Sequence, residues 1–278
     1  MGSAILSGVL ESCAKSQAAG EKPRIARFIA TVQSQGSADG LRTRFSKYGD
    51  ALQVLRADNV AAMKKADIVL LACKPYLANT VLKADGIREA LAGKLVISVL
   101  VGSPVEKLEA AIFNAGPRRK DEAEFYIKRV MPNIAADLGQ SMSVMEATLM
   151  PDEYEEIADW IFLQVGKTAN VAPELFDVGG VLAGATGAFF TVAFDGILDG
   201  AVKQGLKRAD AKKILTQSLF SVASLLESGE HPAVLREKFS SPRGTTIEGL
   251  LSLEEDRVRH GFSKAVIASS KRSEEIGK

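Results

Sequence analysis

Four short stretches of this 278-residue sequence carry side chains whose types and spacing suit chemistry on a small anionic molecule. Leu71-Ala72-Cys73-Lys74-Pro75 sets a lysine and a proline directly after an apolar run. If that run is a parallel strand, Cys73 and Lys74 stand at its carboxyl end, where open α/β sheets bind ligands. Taken alone, the pair also suits a solvated loop. Arg129-Val130-Met131-Pro132-Asn133 follows a later apolar run in the same manner, and equally describes a proline-stiffened turn with a capping asparagine. Leu182-Ala183-Gly184-Ala185-Thr186-Gly187-Ala188 is built of small residues and by itself describes helix packing. Ser240-Ser241-Pro242-Arg243-Gly244-Thr245-Thr246-Ile247 gathers hydroxyls, a proline and a glycine ahead of a helical stretch. Backbone N–H groups and hydroxyls in such a turn can receive a carboxylate, or simply cap the helix.

Other chemistries find less support. The only histidines are His231, in a Glu-His-Pro turn, and His260, in a basic helix. Both are expected to be structural or solvated, although histidine is the usual acid-base group near neutral pH. Cys13 and Cys73 are far apart and outside any CxxC spacing, which argues against a disulfide framework or a zinc site and for a reducing compartment. With 35 basic and 34 acidic residues the formal net charge is +1, so no global field favours nucleic acid or an anionic membrane. The opening Met1-Gly2-Ser3-Ala4-Ile5-Leu6 has no basic segment leading into an apolar core. No unbroken apolar run approaches the roughly 18 residues of a membrane span. The expectation is a cytoplasmic protein with a small-molecule partner and neither nucleic acid nor membrane.

The elements that must position these motifs follow from periodicity. Apolar runs alternate with helical patterns over the first two-fifths, as when parallel strands are joined by crossover helices. Helices are expected at 2–15, 40–47 and 59–64, and strands at 24–31 and 53–55. Asp67 to Ala72 and Lys94 to Leu100 are apolar on consecutive residues, as strands buried on both faces must be. Ser103-Pro104-Val105-Glu106 predicts a helix start with Ser103 as N-cap and proline in the first turn, the helix ending before Gly116-Pro117. A strand is expected over 125–130, an edge strand over 141–147 and a helix over 152–162. From about Ala172 long helical patterns take over, beginning with an apolar, small-residue segment, 176–202. The expected domains are 1–171, a doubly wound α/β domain, and 172–278, all helical.

In this order the motifs resemble the pyrroline-5-carboxylate reductase family. The resemblance also rests on the Met-Gly-Ser-Ala-Ile opening, Asp199-Gly200-Ala201-Val202-Lys203-Gln204-Gly205-Leu206 and Gly229-Glu230-His231-Pro232-Ala233, and it spans the whole chain. It implies a Rossmann-like NAD(P)-binding domain followed by a helical domain that dimerises and builds larger homo-oligomers. The implied reaction is reduction of the cyclic imine 1-pyrroline-5-carboxylate to proline. Positioning a hydride donor over the imine carbon supplies much of such catalysis. By resemblance, Met1, Gly2, Ser34, Ser37, Asn59, Cys73, Lys74 and Asn133 bind the cofactor. Ser241, Gly244, Thr245 and Thr246 hold the substrate carboxylate, and Thr246 is the catalytic candidate, bonding near the ring nitrogen. The stretch Val32-Gln33-Ser34-Gln35-Gly36-Ser37 has no acid to bind a ribose 2′-hydroxyl and repel a 2′-phosphate. NADPH is therefore favoured, NADH remaining possible, with Arg42 a further phosphate candidate.

The sequence departs from the family pattern at three places. The family's first strand and the first two glycines of its Gly-x-Gly-x-x-Gly turn do not occur, and Met1-Gly2 takes the place of the last Met-Gly pair. Either an upstream segment supplies them or the protein lacks an intact dinucleotide turn and is a non-catalytic paralogue. The usual Ser-Gly-Ser-Gly-Pro-Ala is Ala183-Gly184-Ala185-Thr186-Gly187-Ala188, and the usual Pro-Gly-Gly-Thr carries Arg243 in place of its first glycine. These last two suggest a reductase of a substituted pyrroline carboxylate in specialised metabolism.

Overall fold

The structure is a computed structural model that describes residues 1–114, 116–117 and 123–277. It forms two compact units, one of Met1–Gly184 with the chain's last residues from Lys271, the other Ala185–Ser270.

In the first unit, strands β1 (Phe28–Val32), β2 (Leu52–Arg56), β3 (Ile68–Leu71), β4 (Leu95–Ser98), β5 (Tyr126–Met131), β6 (Ser141–Glu146) and β7 (Gly166–Val171) alternate with helices. These are α1 (Gly2–Ala18), α2 (Gln35–Arg44), α3 (Asn59–Lys65), α4 (Ala78–Leu82), α5 (Ile87–Leu91), α6 (Val105–Ile112), α7 (Asp152–Leu163) and α8 (Phe176–Gly184). β3, β4 and β5 are parallel, and β6 adds antiparallel to β5 and parallel to β7. β4, paired on both sides, is buried at all four residues. That explains its unbroken apolar sequence.

β1 and β2 pair in parallel as a separate two-stranded piece. Phe28 of β1 and Ile68 and Leu70 of β3 pack on one cluster with Ile5, Val9 and Cys13 of α1, yet no ladder joins β1 to β3. All five β1 residues are only half-buried. In the doubly wound order 3-2-1-4-5-6, one strand lies between these two and precedes the first helix. The split therefore falls where the expected sheet lacks its first strand.

Several sequence expectations are corrected. β6 is an interior strand, because β7 covers its far side. β7 escaped notice because Gly166-Lys167-Thr168-Ala169-Asn170-Val171 lacks a clean alternation and is only partly buried. Helix α2 starts at Gln35, capped by Ser34, rather than at Gly40. Pro104, extended at ψ 160°, is the N-cap of α6, and the expected Ser103 cap is buried instead of bonding the helix end. Apart from these corrections, the expected domains 1–171 and 172–278 divide the chain by sequence texture, whereas the compact units divide at Gly184 because α8 lies on β5 and β6.

The second unit contains α9 (Thr186–Lys203), α10 (Arg208–Glu227), α11 (Pro232–Lys238), α12 (Thr245–Glu255) and most of α13 (Val258–Gly277). Its only buried apolar residues are Ala211 and Leu235, while Val192, Phe220 and Ile267 are 76%, 64% and 69% exposed. An 18-residue window in Pro173–Lys203 reaches a mean hydropathy of 1.7 and is almost wholly uncovered. By length and composition this helical stretch could cross a membrane, against the expectation from the sequence. Glycine, alanine and aspartate separate its large apolar residues, so no unbroken run is visible. Its first third is already seated on the sheet: Gly179 lies against Val144 and Gly180 against Met131. The remaining helix, α9, carries Asp195 and Asp199, both paired with Arg208, which suits a protein partner better than lipid.

Gly166 shows how tightly β7 seats on β6. Its φ of 152° is unfavourable for other residues, and a Cβ there would overlap the Ser141 backbone. Gly166→Ala should destabilise the first unit by about 2 kcal/mol or more. In thermal melting the midpoint should fall by several degrees relative to the parent chain; an unchanged midpoint would contradict this packing.

Candidate functional site

The cofactor candidates stand at the carboxyl ends of strands. α1 begins against the residue that follows β3: a Cβ on Gly2 would lie 2.9 Å from the Ala72 Cβ. Glycine alone allows that approach without displacement, and it brings Met1 and Gly2 beside the segment holding Cys73 and Lys74. No side chain caps α1 and no acid occupies its first turn, so its leading N–H groups and positive dipole end are free to receive phosphate. Lys74 is exposed. Cys73 is half-buried, and burial pushes its thiol pKa up, so it is a packing group rather than a nucleophile.

After β1, the Ser34 hydroxyl accepts the Ser37 N–H at 3.1 Å and donates to the Ser37 hydroxyl at 2.9 Å. Both serines are exposed at the start of α2. The Arg42 guanidinium donates to Asp39 at 2.9 Å and to the Val54 carbonyl at 3.2 Å. After β2, Asn59 opens α3, its Oδ1 accepting the Thr31 hydroxyl at 2.7 Å. That bond ties the end of β1 to the start of α3. After β5, the Asn133 N–H donates to Ser141 Oγ at 3.0 Å, its Oδ1 accepts from the Ala135 N–H at 3.0 Å, and its Nδ2 donates to the Ala183 carbonyl at 3.0 Å. Asn133 is thereby held by β6, its own turn and α8.

The substrate candidates lie together in the second unit. The Gly244 N–H donates to the Ser241 carbonyl at 2.9 Å, closing a turn over Pro242 and Arg243. Gly244 is the N-cap of α12, no side chain caps the helix, and Thr245 and Thr246 in its first turn are exposed. A side chain on Gly244 would overlap the Ser241 hydroxyl. Arg243 has φ 60°, a left-handed conformation that costs a non-glycine residue about 1 kcal/mol or more. Its guanidinium makes no hydrogen bond or ion pair among the described residues. His231 uses Nδ1 to cap α11 by accepting the Ala233 N–H at 3.2 Å, a structural role.

Sequence reading missed one polar feature of the first unit. Arg129 donates to Glu146 at 2.5 Å beneath the Asn133 turn, both side chains nine-tenths buried. Burial pushes the Glu146 carboxyl pKa up, partly offset by Arg129. A charged residue within each of two strand runs was the available signal. A separate cavity of about 240 Å³ beside α1 contains none of the cofactor or substrate candidates, and its charges are internally paired, Glu11 with Lys47 and Arg44 with Asp137. Among the described residues, no cluster of histidine, cysteine or carboxylate could hold a metal ion.

A doubly wound sheet with phosphate-receptive helix starts at its strand ends, followed by an uncovered helical unit, defines a dinucleotide-dependent oxidoreductase. The family profile described as NADP oxidoreductase, coenzyme F420-dependent, matches residues 1–102. The profile for pyrroline-5-carboxylate reductase dimerisation matches residues 173–276. The pyrroline-5-carboxylate reductase of Lophium arboricola is 36% identical over 290 aligned positions, covering all of this chain and 91% of that protein. The chain belongs to the pyrroline-5-carboxylate reductase family. Its fold is similar to the solved pyrroline-5-carboxylate reductase of Coxiella burnetii, with TM-score 0.80, 24% identity, and 99% and 96% of the two chains covered. It is also similar to Plasmodium falciparum pyrroline carboxylate reductase with NADP bound, with TM-score 0.73, 24% identity, and 91% and 98% covered.

Proposed function

We propose that this protein reduces 1-pyrroline-5-carboxylate to L-proline with a nicotinamide dinucleotide as reductant. The observation that carries the reading is the full-length relationship to reductases of that name. The close seat of Gly2 against Ala72 supports it, since it brings the start of α1 beside the end of β3. The bound dinucleotide supplies the hydride. Met1, Gly2, Ser34, Ser37, Asn59, Cys73, Lys74 and Asn133 hold that dinucleotide. The N–H groups and hydroxyls at Ser241, Gly244, Thr245 and Thr246 hold the substrate carboxylate, and Thr246 donates a hydrogen bond near the ring nitrogen.

NADPH is the preferred form in this reading, because Ser34 and Ser37 rather than an acid follow β1. The direct test is NADPH oxidation by the purified chain with 1-pyrroline-5-carboxylate, alongside a version extended by any in-frame upstream strand. Thr246→Ala should lower kcat/KM for the imine by about 10- to 100-fold, the range of one lost hydrogen bond, and leave NADPH affinity within about twofold. Equal turnover by the variant removes Thr246 from the mechanism, and a lower KM for NADH than for NADPH reverses the cofactor assignment.

The active form is a homodimer or a higher homo-oligomer. A unit with only two buried apolar residues cannot hold its helices by its own core, and the dimerisation profile covers that unit. Light scattering on the intact chain should give at least twice the 29.6 kDa chain mass. A particle of single-chain mass at micromolar concentration would end this part of the reading.

A second reading is favoured by Arg243. An unpaired guanidinium on a left-handed position, within the turn that presents the carboxylate donors, suits a pyrroline carboxylate bearing an additional anionic substituent. The natural substrate is then a substituted relative of 1-pyrroline-5-carboxylate, and the enzyme belongs to specialised metabolism. Arg243→Gly should relieve the backbone strain and lower kcat/KM for a doubly anionic pyrroline about tenfold or more, without harming the unsubstituted imine. If the parent chain shows no preference for the extra charge across a substrate panel, the unsubstituted imine stands as the substrate.

A further inference from the structure

The Arg129 and Glu146 pair lies outside every role assigned above, and the surrounding geometry gives it one. Arg129 is on β5 and Glu146 on β6, and their side chains are 10% and 8% exposed. The Arg129 Cζ stands 4.2 Å over the ring of Phe176, the first residue of α8. Arg129 Nε is buried without a hydrogen-bond partner among the described residues. Desolvating two charges offsets most of their mutual attraction, and an apolar pair of similar volume is often at least as stable. Stability alone therefore does not explain an arginine and a glutamate here.

The same three elements meet again farther along. Met131 lies under Gly180, where any side chain on the helix would overlap the thioether. Beyond it, Asn133 donates to the Ala183 carbonyl at 3.0 Å and to Ser141 Oγ through its N–H at 3.0 Å. From Phe176 to Ala183 a helix rises roughly 10 Å, and from Arg129 to Asn133 a strand extends roughly 13 Å. α8 thus runs alongside β5 in the same direction, anchored to it at both ends. Where Phe176 sits on the guanidinium fixes the register of the helix, and that register decides where the Ala183 carbonyl meets the Asn133 amide.

We infer that Arg129 and Glu146 are positioning residues, which set the Asn133 turn by fixing α8 through Phe176. The kinetic consequence rests on the proposed function, in which Asn133 contacts the cofactor. The variants are Arg129→Met, which removes the guanidinium from the Phe176 ring while keeping similar volume, Glu146→Gln, and the two combined. Arg129→Met alone should melt early, because it leaves a buried carboxylate without its cation. The double variant should regain most of the melting temperature yet keep a KM for NADPH raised about tenfold, with the imine KM within about twofold. It should also show faster hydrogen exchange at the Ala135 N–H, which Asn133 Oδ1 holds.

Recovery of both stability and NADPH KM in the double variant would reduce the pair to a structural contact and overturn the inference. The exchange measurement needs no cofactor. If the parent chain proves inactive on cyclic imines, unchanged exchange at Ala135 still overturns the positioning role, and accelerated exchange upholds it while the functional reading fails.

Discussion

The contact on which most of this architecture depends is the direct seating of α8 on β5 and β6. A helix lies that close to a sheet most readily where it presents no side chain. Gly179 over Val144 and Gly180 over Met131 provide that face. Each glycine costs roughly 1 kcal/mol of helix propensity relative to alanine, which close packing offsets. α8 also leads into α9, with only Ala185 between them, so the helix that finishes the first unit's packing is the one from which the second unit departs. The Asn133 turn takes its shape from the same contact.

Fully paired strands were legible in the sequence because burial on both faces leaves them little choice of residue. The run Leu95-Val96-Ile97-Ser98 is wholly buried and reads as a strand without context. β7 is half-exposed and carries lysine, threonine and asparagine, so its pairing with β6 depends on a long-range partner that no local pattern announces. The start of α2 was misplaced for a related reason. Gly36 and, less so, Ser37 are weaker helix formers, and the Ser34 cap overrides that propensity.

The candidate site divides in the same way. Lys74 and Asn133 could be placed because each follows an apolar strand, and strand ends are where a doubly wound sheet meets its ligand. The turn proposed to receive the carboxylate stands out in the sequence by its hydroxyls and glycine. The bonds of Arg42 to Asp39 and the Val54 carbonyl could not be read from the sequence, since they depend on how α2 crosses β2. Phe176 and Glu146 could not be connected to Arg129 from spacing, because they are 47 and 17 residues away in sequence and meet only once α8 and β6 are both laid on β5.

The two units solve the burial problem in opposite ways. The first surrounds β4 with helices and neighbouring strands and completes a core of its own. The second leaves Val192, Phe220, Leu251 and Ile267 more than half exposed, an area that water would penalise in an isolated chain. Its helices are long enough to persist, yet their apolar sides have no internal counterpart. In the proposed homo-oligomer, folding of the second unit and association of chains would be one equilibrium, with stability rising with protein concentration. If the turn between Ser241 and Thr246 receives substrate as proposed, its order is tied to that of the unit that carries it. Under the proposed function, dilution should weaken the turn at 241–246 before it affects the strand ends of the first unit, which has a core of its own.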